Sequence, residues 1–70
     1  FMRRYKVNQQ MGKKIRRARK DRKMSQEELA EKVGLHYTTV SRIERGISNS
    51  PVETINKIAK TLKVKMSDLF

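Results

Sequence analysis

The stretch "MSQEELAEKVGLHYTTVSRIERG", Met24 to Gly46, constrains the fold more than any other part of the chain. Ser25 and Glu28 form an S-x-x-E capping box, and Met24 and Leu29 stand at the two positions of a hydrophobic staple. Glu27 and Glu28 fall in the first turn, where carboxylates complement the positive end of the helix dipole. Leu29, Ala30 and Val33 make an inward stripe, and Gly34 permits the left-handed conformation that ends a helix. A second helix then starts near Tyr37. Val40 and Ile43 point inward, Thr38, Thr39, Ser41, Arg42 and Arg45 lie outward or at the flanks, and Gly46 closes it. So many start and stop signals in so short a span leave room only for two short helices joined by a tight turn.

The remaining segments extend a helical reading. From Met11 to Lys23, the residues Met11, Ile15 and Ala18 recur at helical spacing within a strongly basic run. After the loop "ISNS", Ser50 is expected to cap a further helix, with Pro51 in its first position and Glu53 completing a second S-x-x-E box. Ile55, Ile58, Ala59 and Leu62 follow the i, i+3, i+4, i+7 pattern. The end "VKMSDLF" reads as a short apolar turn of helix. No segment reads as a strand, and there are no internal repeats. Residues 1–8, with Arg3, Arg4 and Lys6 and no helical stripe, are expected to be a flexible basic arm or a solvated tail, and residues 9–70 a single domain.

A domain of 70 residues buries only about 60% of its unfolded surface. It has no Cys and one His. Disulfides and thiolate metal sites are therefore ruled out, and idealised helix packing or oligomerisation must supply the stability. Lys and Arg number 18 against 7 acids, for a net charge of +11. That excess favours a polyanionic partner, with nucleic acid ahead of an anionic membrane surface. No apolar run approaches the ~20 residues of a membrane span. The expectation is a cytoplasmic chain without membrane contact, associated with the nucleoid when bound. No cofactor is expected, and no nucleophile, base and acid set suggests an enzyme.

Two short helices joined by a tight Gly-containing turn make a helix-turn-helix unit, whose second helix enters the DNA major groove. That groove is about 12 Å wide, which suits small polar residues on the leading face such as Thr38 and Thr39. Arg42, one turn on, can reach a guanine edge with its bidentate fork. The sequence Met24 to Gly46 resembles the helix-turn-helix of phage repressor, Cro and Xre-type transcription regulators, and "SPVETINKIAKTLKVKMSDLF" resembles their last two helices. In size the chain is similar to their single-domain members, the controller proteins of restriction-modification systems.

The resemblance implies an all-α, compact five-helix domain. It also implies sequence-specific binding of double-stranded DNA as a homodimer and transcription regulation from an inverted-repeat operator. On that footing Tyr37, Thr38, Thr39 and Arg42 match positions that face base edges. Gln26, Arg45, Ser48 and Asn49 match phosphate contacts, to which the basic first helix adds Arg16, and Gln26 also braces the recognition helix. Arg19 and Glu44 match a partly buried ion pair. Alternatives stay open for several positions: Thr38 and Thr39 as phosphate contacts, Tyr37 with its ring on the protein, and Arg42 or Arg19 as a solvated charge.

Three positions depart from the pattern. His36 stands where a better cap is expected, Lys63 where a Gly is common, and Lys65 where a capping Ser is common. Val64, Met66, Leu69 and Phe70 crowd the end with apolar side chains, some to cover the core and some for a partner, so Met66, Leu69 and Phe70 are expected at a dimer interface, with Leu69 and Phe70 capping their own core as the alternative. Two other function classes remain: a basic peptide coating membranes or RNA through charge alone, and an antitoxin-like module whose main partner is a protein.

Overall fold

The computed structural model describes residues 4–69. The order is β1 (Arg4–Val7), α1 (Gln9–Asp21), α2 (Gln26–Val33), α3 (Tyr37–Arg45), β2 (Ser48–Pro51), α4 (Val52–Thr61) and a 3-10 turn (Met66–Leu69). The five-helix expectation is thus corrected to four α-helices among the described residues, with a 3-10 turn where a fifth helix was expected. Two strands appear where none was expected. β1 pairs antiparallel with β2 in the register Arg4↔Pro51, Tyr5↔Ser50, Lys6↔Asn49 and Val7↔Ser48. The segment read as an arm therefore holds a strand over Arg4–Val7.

α1 begins earlier than its apolar stripe, because Asn8 caps it: the Asn8 side chain accepts from the Met11 N–H at 2.7 Å. The capping box of α2 is complete, with Glu28 N–H donating to Ser25 Oγ at 3.0 Å and Ser25 N–H to Glu28 Oε1 at 2.8 Å. α3 starts from His36 with no side-chain cap. For α4 the expected cap is corrected. Pro51 takes the cap position without a side-chain bond, and Ser50, drawn into β2, pairs its hydroxyl with that of Ser48 at 2.9 Å.

All four helices end alike. A residue with positive φ follows each, at Lys23, Gly34, Gly46 and Lys63. The next N–H then reaches back to a carbonyl five residues earlier: Met24 to Arg19, Leu35 to Ala30, Ile47 to Arg42 and Val64 to Ala59. Lys65, in place of a capping Ser, is served from the other side, since its N–H donates to Asp68 Oδ2 at 3.1 Å.

One core gathers every helix. It joins Met11 and Ile15 of α1, Leu29, Ala30 and Val33 of α2, Val40 and Ile43 of α3, Ile55, Ile58 and Ala59 of α4, then Leu62 and Leu69. Ala18, Met24, Leu35, Val64 and Met66 pack at its margin. Leu69, expected at a dimer interface, is only 2% exposed. That part of the expectation is corrected: the 3-10 turn folds Leu69 against its own domain, leaving almost no side-chain surface for a partner. Met66 is half-buried, and Phe70 lies outside the described residues.

Candidate nucleic-acid interface

The turn between α2 and α3 is built from local chemistry, but its angle is set by a buried polar cluster. Arg19 on α1 grips Glu44 on α3 with a two-point contact, Nε donating to Oε2 at 2.6 Å and Nη2 to Oε1 at 3.1 Å. Arg19 Nη1 also donates to the Met24 carbonyl, the residue before the α2 cap, at 2.7 Å. Gln26, in the first turn of α2, donates through Nε2 to Glu44 Oε1 at 3.1 Å. Arg19 and Glu44 are 7% and 6% exposed. Such a pair is costly to desolvate and is tolerated only when its hydrogen-bonding capacity is filled, as it is here by Gln26 and Met24. The cluster ties α1, α2 and α3 at one point.

Close backbone approach reinforces that tie. A methyl placed on Gly12 would lie 2.4 Å from the Glu44 carbonyl oxygen and 2.6 Å from that of Ile43. α1 thus presses against the α3 backbone beside the ion pair, and glycine is what allows it.

With α3 held from behind, its outer face is free. Tyr37 is 50% exposed, Thr38 and Arg42 are exposed, and Thr39 is half-buried. These four residues occupy one end and the outer side of a helix whose other side buries Val40, Ile43 and Glu44. Beside it lies a shallow depression over the ion pair, lined by Arg16, Gln26, Glu27, Ser41 and Arg45. A neighbouring hollow adds Gln9 and Lys13 to Arg16 and Arg45. The structure therefore brings together Gln26, Arg16 and Arg45, three of the residues expected at phosphates. Asn49 is exposed and Ser48 half-buried on β2, which follows the end of α3.

Ser41 and Lys13 were not singled out from sequence as site residues. The signal was present: Ser41 is four residues from both Tyr37 and Arg45, and Lys13 three from Arg16, so each shares a helical face with an expected contact. No cluster of three or more metal-ligating side chains occurs among the described residues, and no helix is long and apolar enough to cross a membrane.

Comparison with known proteins agrees with this geometry. Residues 15–69 match the HTH_3 family model, described as helix-turn-helix. The chain is 46% identical over 59 residues to the control protein C.BamHI of Bacillus amyloliquefaciens, spanning 83% of this chain and 73% of that protein. The crystal structure of the restriction-modification controller protein C.AhdI from Aeromonas hydrophila superposes with a TM-score of 0.84 at 34% identity, covering 89% of this chain and 94% of that one. The biofilm regulator SinR, solved in complex with DNA, matches with a TM-score of 0.78 at 33% identity, covering 84% and 95%.

Proposed function

The chain belongs to the HTH_3, Xre-type helix-turn-helix family of transcription regulators, and from that premise we propose that it binds double-stranded DNA sequence-specifically, as a homodimer on an inverted-repeat operator. The observation that carries this reading is the exposed face of α3, Tyr37, Thr38 and Arg42, held rigid from behind by the Arg19–Glu44–Gln26 cluster. A recognition helix must keep its aim while its outer side chains meet base edges, and a buried bracing network provides that.

In this reading Tyr37, Thr38, Thr39 and Arg42 meet bases. Gln26, Arg16, Arg45, Ser48 and Asn49 meet phosphates, and Ser41 and Lys13 join them. Gln26 has capacity for both roles, because one amide hydrogen goes to Glu44 and the other is left for an anion. The role is regulatory rather than enzymatic. A control protein and a restriction-modification controller protein among the relatives support a controller of transcription as the narrower reading. The antitoxin-like alternative draws no such support: none of the three relatives above is named as one. The dimer is assigned to the C-terminal end, through the outer part of Met66 and through Phe70. Pairing there places two recognition helices on one face of the duplex, about 34 Å apart.

Selection of bound duplexes from a random pool tests the reading, with a palindromic consensus expected. Arg42→Ala should cost about 1 to 3 kcal/mol on the selected site and relax preference at one base position. Equal weakening on selected and random DNA would remove Arg42 from the base contacts. Selection that yields no consensus would sink sequence-specific binding altogether.

A further inference from the structure

One residue in the depression beside the recognition helix carries the opposite charge to its neighbours. The floor is neutral, since Arg19 and Glu44 are buried there as a pair. Arg16, Gln26, Ser41 and Arg45, all assigned above to phosphates, line the same depression, and Glu27 stands exposed among them. Arg16 and Arg45 are exposed as well. A phosphate drawn in by two cations therefore meets a carboxylate.

The start of α2 accounts for only part of this placement. Glu27 lies in the first turn, where a carboxylate complements the helix dipole. Glu28 meets that demand at the next position and completes the capping box with Ser25. Successive helical residues are turned by about 100° from one another, so one acid serves the cap while the other shares a hollow with Arg16 and Arg45. Among the described residues no direct ion pair ties the Glu27 carboxylate to either arginine. Its action on that hollow is one of field, reduced by solvent and salt.

We propose that Glu27 limits affinity at the DNA-binding surface: its charge opposes the backbone phosphate that Arg16, Gln26 and Arg45 attract, and holds every duplex below the affinity those groups alone would give. This rests on the DNA-binding reading above. The phosphate contribution is common to selected and random DNA and carries no sequence information. A local anion lowers both alike and leaves base preference to α3. In a chain of net charge +11, attraction to any duplex is strong, so a carboxylate at the contact shortens occupation of DNA in general.

The test compares the full chain with E27Q, E27D and E31Q. Glu31 is another exposed acid of α2, but it lines a separate hollow with Lys32, Lys57 and Lys60. Binding to a selected and to a random duplex is followed across salt concentrations, at a temperature where circular dichroism shows each variant folded. E27Q should bind both duplexes more tightly, by roughly two- to fivefold at low salt, the scale of one exposed charge interaction. Its slope of log K against log salt should steepen by up to about 0.9, the value for one more phosphate neutralised. The ratio of selected to random affinity should stay the same. E27D, which keeps the charge, and E31Q, which removes a charge elsewhere, should both follow the wild type.

A purely structural role in starting α2 predicts the opposite sign, because a weakened helix start can only loosen the surface. The inference is overturned if E27Q binds no more tightly than the wild type, or if E31Q gains as much, since bulk charge would then explain the gain. An equal gain in E27D would overturn it by pointing to shape, and a gain confined to the selected duplex by pointing to base readout. Absence of binding by the wild type would overturn the DNA-binding reading itself, a result distinct from any of these.

Discussion

The back of the recognition helix and the chain that continues beyond it are held by different physics. Behind α3, Glu44 is locked by Arg19 and Gln26 through buried, charge-assisted bonds, with Gly12 pressed against its carbonyl. Beyond α3, the chain passes into a two-stranded sheet and a C-terminal 3-10 turn, held by short backbone pairings and by Leu69 and Met66 at the core margin. A buried polar lock fixes an angle, because each bond tolerates little displacement. Short strands and a single turn fix only a path. The difference teaches where precision is needed: the lock aims the helix, and the periphery carries surface.

If that contrast is right, damage at the lock should far exceed any change at the periphery. Glu44→Ala leaves Arg19 buried without its partner and should cost about 3 to 5 kcal/mol. For a domain of this size each kcal/mol lowers the melting temperature by roughly 4–8 °C. Thermal melts should therefore show a fall of well over ten degrees by that scaling, against almost none for the exposed Glu31→Ala. Equal shifts for the two would break the comparison.

Gly12→Ala comes next. Its methyl has no room beside the α3 backbone, so α1 and α3 must separate, at a cost of about 1 to 3 kcal/mol. Denaturant titration checks the stability. Affinity for the selected duplex should fall further than stability alone accounts for, because the aim of α3 is disturbed.

The smallest expected effect has the opposite sign and lies in the periphery. Lys63 holds φ 58, the conformation that glycine supplies at the ends of α2 and α3. Lys63→Gly relieves a strain of about 1–2 kcal/mol and adds back part of it as unfolded-chain entropy. A net gain of about 0.5 kcal/mol should appear in the denaturation midpoint with DNA affinity unchanged. A loss of stability there would mean that the Lys63 stem packs usefully on the domain.

What the sequence determined by itself is what neighbours in the chain decide together. The Ser25–Glu28 box, the endings at Gly34 and Gly46, and the apolar stripes of Leu29, Val33, Val40, Ile43, Ile55, Ile58 and Leu62 depend on contacts within a turn or two, so spacing reveals them. Three of the seven acids of this cationic chain have such a place: Glu27 and Glu28 sit at the start of α2, and Glu44 neutralises a buried arginine. The match of Arg19 with Glu44 came through family resemblance, since 25 residues separate them and no local pattern links them. Tertiary structure decided the rest. "SNSP" has poor strand propensity and forms β2 only because β1, more than forty residues earlier, lies alongside it. That pairing also takes Ser50 away from the start of α4. Gly12 looks like a weak point in a helix until α3 is packed onto it, and Leu69 looks like spare apolar surface until the last turn folds back and buries it. Each of these outcomes depends on which distant backbone arrives beside the residue, and no local spacing encodes that.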